Sequence, residues 1–206
     1  MTMHGLIRGC AMPIMYLRNK YGCFLAVIAV SLLISGPASA GAEPERVSVH
    51  DGRAQLVMVD KSAYSLTVQP GAHAIAYDKQ KHMLDGNAYI AVFQVFASNP
   101  GKPMGFCGAG SETWLYVYAA DSAQLFEKLK VQVGSCLQSF SLASQNTGEP
   151  DQAFDFSSVQ WTSEGFSIDW FNKTDAAGRA INTTRYTARG AAFIPFDVVS
   201  SEPQDK

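Results

Sequence analysis

Residues 89–97 form the segment that most restricts what this chain can fold into. Tyr89, Ala91, Phe93 and Val95 fall on one side of an extended strand, and Ile90, Val92, Gln94 and Phe96 on the other. Both sides are mostly apolar. A strand of that kind avoids water only when it is central and covered on both faces. The surrounding chain repeats the same period of two, not the 3.6 of a helix. Residues 47–50 and 54–59 flank Asp51-Gly52, a hairpin signal, and 64–68 alternate cleanly up to Pro70-Gly71. Residues 72–77 read as a further short strand, and the polar stretch 78–87, with Asp85-Gly86-Asn87, as a loop.

Beyond the central strand, 99–103 reads as a turn, 104–110 as a glycine-rich loop and 114–118 as a strand. Residues 121–129 suggest one short helix, capped by Asp121, with Leu125, Phe126 and Leu129 inward. Strand character returns over 131–142, and 144–151 is loop. Strands over 158–161 and 166–170 straddle Glu164-Gly165, and 183–187 and 192–198 complete the set after a turn at 175–178. These patterns predict a mainly β fold: a single antiparallel β-sandwich or small barrel, with at most one short helix. The roughly 160 residues involved suffice for a core. The expected domain is 41–199, followed by a polar tail over 200–206.

Residues 1–40 read as a cleavable secretory leader. Arg18 and Lys20 precede an apolar run over 24–34; Ser35-Gly36-Pro37 breaks it, and Ala38-Ser39-Ala40 offers a small-residue cleavage site. The run is shorter than the ~20 residues of a membrane span. Translation from Met15 would give a more ordinary basic lead-in, since Arg8 is the one charge among the first 14 residues. The reading is therefore an exported protein, periplasmic or secreted, with no stable membrane span after cleavage. Three of the 16 Lys and Arg, and none of the 18 Asp and Glu, leave with the leader. The remainder is mildly acidic, which argues against sequence-independent nucleic-acid binding.

Cleavage also leaves two cysteines, Cys107 and Cys136, in an oxidising compartment, where a bridge between them is expected. Gly105, Gly108 and Gly110 surround Cys107. A phosphate cradle would need a Gly-Lys-Ser/Thr ending and a following helix, and both are missing, so the glycines read as a tight corner presenting Cys107 to Cys136. The bridge would consume the one thiol placed to act as a nucleophile. No metal or cofactor is implied: His50, His73 and His82 lie in separate segments, with His82 reading as a solvated loop residue, and neither a calcium loop nor a Gly-x-Ser-x-Gly elbow is present. Among the carboxylates Glu112, Glu164 and Asp169, Glu112 stands out, because Trp114 and the glycine loop would desolvate it and raise its pKa.

The aromatic residues Trp161, Phe166, Trp170, Phe171, Phe193 and Phe196 gather in the last third. The shared face of Phe166, Ile168 and Trp170 reads as core, not as a glycan groove. In size, leader, single bridge and strand content the chain is similar in outline to bacterial periplasmic inhibitor and immunity proteins, but the Ser-Gly-x-x-Tyr element of several lysozyme-inhibitor families is missing from residues 41–206. The expected activity is binding without catalysis. The loop over 103–112 would dock into an envelope protein or glycan, with binding residues Phe106, Gly108, Gly110, Glu112 and Trp114. The competing expectations are an envelope-polymer hydrolase using Glu112 and a structural envelope protein.

Overall fold

Antiparallel strands make up nearly all the regular structure in a computed structural model that describes residues 45–149 and 152–200. The leader, the start at Met15, the cleavage point and the tail beyond 200 lie outside the described residues. In chain order the strands are β1 (Glu45–Arg46), β2 (Val49–His50), β3 (Arg53–Val57), β4 (Ala63–Thr67), β5 (Ala72–Tyr77), β6 (His82–Leu84), β7 (Asn87–Ala97), β8 (Ser111–Asp121), β9 (Gln124–Ser135), β10 (Ser141–Leu142), β11 (Val159–Thr162), β12 (Gly165–Phe171), β13 (Ile181–Arg189) and β14 (Ala192–Val199). Two short 3-10 turns, Ala143–Asn146 and Gln152–Phe154, lie between β10 and β11.

The strands form three sheets. The largest has the order β1-β5-β7-β8-β9, with β6 also on β7. A second runs β10-β12-β13-β14, with β11 also on β12, and a third is β2-β3-β4. The period-two pattern decides how they stack. On β7, Tyr89, Ala91 and Phe93 enter one core together with Phe166, Ile168 and Trp170 of β12, Tyr186 of β13 and Phe193 of β14. Ile90 and Val92, on the opposite side of β7, enter a second core with Leu56 of β3 and Tyr64 and Leu66 of β4. The large sheet is thus covered on both faces, as the alternation of 89–97 requires. In the three-stranded sheet, β3 and β4 alternate strictly between exposed and buried residues, as expected of a sheet with one wet face.

The short helix expected over 121–129 is not formed. Asp121 pairs with Gln124 across a two-residue turn, and 124–129 begin β9. The β8–β9 register shifts between Val117 and Tyr118 and again between Thr113 and Trp114, so that Lys128 and Val133 have no opposite number. Such bulges change the phase of the alternation. Leu125 packs toward the second core, whereas Leu129, Val131 and Val133 enter the first. That phase change gives Leu125, Phe126 and Leu129 a spacing that mimics a helical stripe. The loop expected over 78–87 also needs correcting, because His82–Leu84 pairs with Asn87–Tyr89 as a small hairpin. His82 is accordingly not a solvated loop residue: its ring lies flat on Trp161, with centroids 4.1 Å apart.

Candidate functional site

The segment between β7 and β8 is a chain of reverse turns. Backbone N–H groups of Lys102, Gly105, Gly108 and Gly110 donate to the carbonyls of Asn99, Lys102, Gly105 and Cys107, all at 2.9–3.1 Å. The Asn99 side-chain amide donates to the Phe106 carbonyl at 3.1 Å. At the base, Ser98 N–H donates to the Gly110 carbonyl at 3.0 Å, which carries the β7–β8 ladder one step past the strands. Cys107 is joined to Cys136, just beyond β9, with Cα atoms 5.8 Å apart.

Two glycines are required by this geometry. A Cβ at Gly108 would lie 2.0 Å from the Pro103 carbonyl oxygen. A Cβ at Gly110 would lie 2.5 Å from the Cys136 sulfur. Both contacts are far inside van der Waals separation, so glycine at these positions permits the close approach of the backbone.

Glu112, the second residue of β8, closes the base. Its Oε1 accepts from Ser98 Oγ at 2.5 Å and from Leu137 N–H at 3.3 Å, and its Oε2 accepts from Gln132 Nε2 at 2.7 Å. Gln138 Nε2 donates in turn to Gln132 Oε1 at 3.3 Å. One carboxylate therefore ties the end of β7, the middle of β9 and the residue after Cys136 into a single brace. Trp114 lies two residues further along β8, half-buried against the second core, with Lys130 Nζ 4.5 Å from its ring centroid. Of the five binding residues expected from sequence, four sit in or at the foot of this loop, and Trp114 is engaged in the fold beside it.

Apart from Lys102, the large side chains that the loop leaves in solvent are apolar. Met104 is 97 % exposed and Phe106 74 % exposed, and Leu137, one residue from the bridged Cys136, is 49 % exposed. Phe106 was legible in the glycine segment; Leu137 was not singled out, although its place next to Cys136 was the available signal. A wide depression beside the three-stranded sheet, bordered by His50, Arg53, Gln55 and Ser65, includes no residue of the 98–112 segment. Among the described residues no group of three or more His, Cys, Asp or Glu is arranged to hold a metal ion, and no helix is long and apolar enough to cross a membrane. No family model, curated protein or solved structure matches this chain.

A second feature was missed from sequence. Lys173 Nζ sits 3.4 Å from the Trp170 ring centroid and 5.1 Å from that of Phe140. Trp170 Nε1 donates to Thr184 Oγ1 at 2.8 Å, and that hydroxyl donates to Asp197 at 2.6 Å. Burial pushes the Lys173 ammonium down to about 8, against the pull of the Asp197 carboxylate. Between pH 8 and the usual lysine value of 10.5, the unfolded chain holds a proton here that the folded chain has released. Stability from this group therefore rises with pH across that window. Burial acts in the opposite sense on the hydroxyls of Tyr118 and Tyr186, raising both, Tyr186 to about 12, so their contribution falls once the unfolded chain ionises above about 10. We expect the melting temperature of the protein to climb from pH 8 to 10 relative to that of Lys173→Met. Parallel curves for the two proteins over that interval would count against a desolvated ammonium.

Proposed function

We propose that this is an exported binding protein without catalytic activity, which docks sterically on a component of the cell envelope through the 99–110 loop. The observation that carries the reading is the contrast within that loop: Met104 and Phe106 stand in solvent, while the backbone beneath them is fixed by four turns, the 107–136 bridge and the Glu112 brace. Exposed apolar side chains on a fixed support lose little conformational freedom on binding, so more of the contact energy appears as affinity. Export is supported by the bridge, which persists in oxidising compartments, and by the leader read in residues 1–40.

The hydrolase reading has less support. It asks Glu112 to exchange a proton with a substrate, whereas both of its oxygens accept hydrogen bonds from the surrounding backbone and side chains. The test is a photo-crosslinking amino acid placed at Phe106 in the exported protein. Docking predicts an adduct with an envelope component, and a label at the exposed Val59, on the three-stranded sheet side, should yield none. Equal labelling from both positions would remove the loop from consideration. Turnover of peptidoglycan or glycan that disappears in Glu112→Gln would favour the hydrolase.

A further inference from the structure

We infer that the surface on which the loop docks is an anionic lipid bilayer, whose interfacial layer takes up Met104, Phe106 and Leu137. The inference rests on the docking reading and names its target.

Three observations favour lipid over a protein groove. The first is chemical poverty. From Pro100 to Gly110 the side chains are proline, methionine, phenylalanine, alanine, glycine, one lysine and a cysteine already in the bridge. Asn99 is committed to the Phe106 carbonyl. Protein interfaces carry roughly one hydrogen bond per 100–200 Å², and from Pro100 to Gly110 Lys102 is the one side chain with which to make one. A bilayer asks for apolar area and needs no such match.

The second is backbone desolvation. Four of the loop's N–H groups are bonded within it, and Pro100 and Pro103 have none. Entering a medium of low polarity therefore strips water from fewer unpaired donors than an open loop would present.

The third is charge. The chain after the leader is acidic, yet 99–111 contains no carboxylate and one exposed cation, Lys102. The first acid, Glu112, is held at the base by Ser98, Gln132 and Leu137. An acidic protein thus presents its neutral-to-basic end with the apolar tip, the orientation in which an anionic membrane attracts the tip and repels the body.

The magnitude also follows. Three side chains bury less hydrocarbon than a myristoyl chain, which itself gives a partition constant of only about 10⁴ M⁻¹. Association is weak and reversible, a surface contact without a span.

The experiment is flotation of the exported protein with vesicles of phosphatidylglycerol and phosphatidylethanolamine at millimolar lipid, against vesicles of phosphatidylcholine alone. The protein should float with the anionic vesicles. Combined Met104→Ser and Phe106→Ser should lower the bound fraction about tenfold or more, given the apolar area removed. Lys102→Glu should weaken binding to the anionic vesicles and leave phosphatidylcholine unaffected. Near-ultraviolet circular dichroism and an intact bridge would establish that the variants are folded. Binding that survives the double substitution overturns the inference. So does failure of the unsubstituted protein to float; in that case a protein adduct from the crosslinker at Phe106 leaves docking standing with a different target, and the lack of any adduct removes docking as well.

Discussion

Replacing Cys107 and Cys136 together by alanine should cost the folded protein about 3–4 kcal/mol. The two residues are 29 apart in sequence, and tying a loop of that length limits the unfolded chain by roughly this amount. For a domain of this size the melting temperature should fall by about 10 °C. The denaturant midpoint should fall and the slope should rise, because the unfolded chain without its cross-link is less compact and exposes more surface. Docking should suffer more than stability, since the bridge is one of the ties that hold Phe106 and Met104 in place. The remaining ties, the Glu112 brace and the turn hydrogen bonds, hold the foot of the loop against β9 and Leu137 and order its interior; of the ties described, the bridge is the one that joins Cys107 itself to the end of β9. A loss below about 1 kcal/mol would mean that the turns alone order the segment, and the account of a braced tip would fail with it.

How much of this was legible in the sequence depends on which forces set each element. The alternation of 89–97 required cover on both faces, and β7 has it. The same alternation is silent about which strands supply the cover, because pairing between distant segments depends on three-dimensional fit that a one-dimensional period does not encode. The expectation of one sandwich or barrel accordingly left open the arrangement found, a large sheet between two smaller ones. Where the period itself was disturbed, the reading failed. The unpaired Lys128 shifts the phase of β9, and the resulting apolar spacing matched a helix. His82–Leu84 is three residues long, too short for any period to register.

At the candidate site, the pairing of Cys107 with Cys136 followed from compartment and count, and the tight corner followed from glycine density. The role of Glu112 did not. Its partners, Ser98, Gln132 and Leu137, are between 14 and 25 residues away, and nothing local marks a carboxylate as a brace. The aromatic residues of the last third divide the same way. Phe166, Trp170 and Phe193 are core, as their alternation indicates. Phe171 and Phe196, half or more exposed, lie on the opposite parity of β12 and β14, and composition alone could not separate them.

The layered arrangement leads to the other large effect, on β7. Phe93→Ala should cost about 3–5 kcal/mol and Ile90→Ala about 2–5 kcal/mol. Phe93 is buried and stacks on Phe156 with ring centroids 3.8 Å apart, so truncation leaves a cavity bounded by a rigid aromatic neighbour. Ile90 is fully buried on the opposite face, under the three-stranded sheet. The pair separates two architectures. A sheet covered on one face only would give one expensive and one nearly neutral substitution, because a side chain facing water leaves no cavity when shortened. A sheet between two layers makes both expensive. Equilibrium unfolding of the two variants decides between them: if Ile90→Ala costs less than about 1 kcal/mol, the three-stranded sheet does not cover β7, and the second core is not a core.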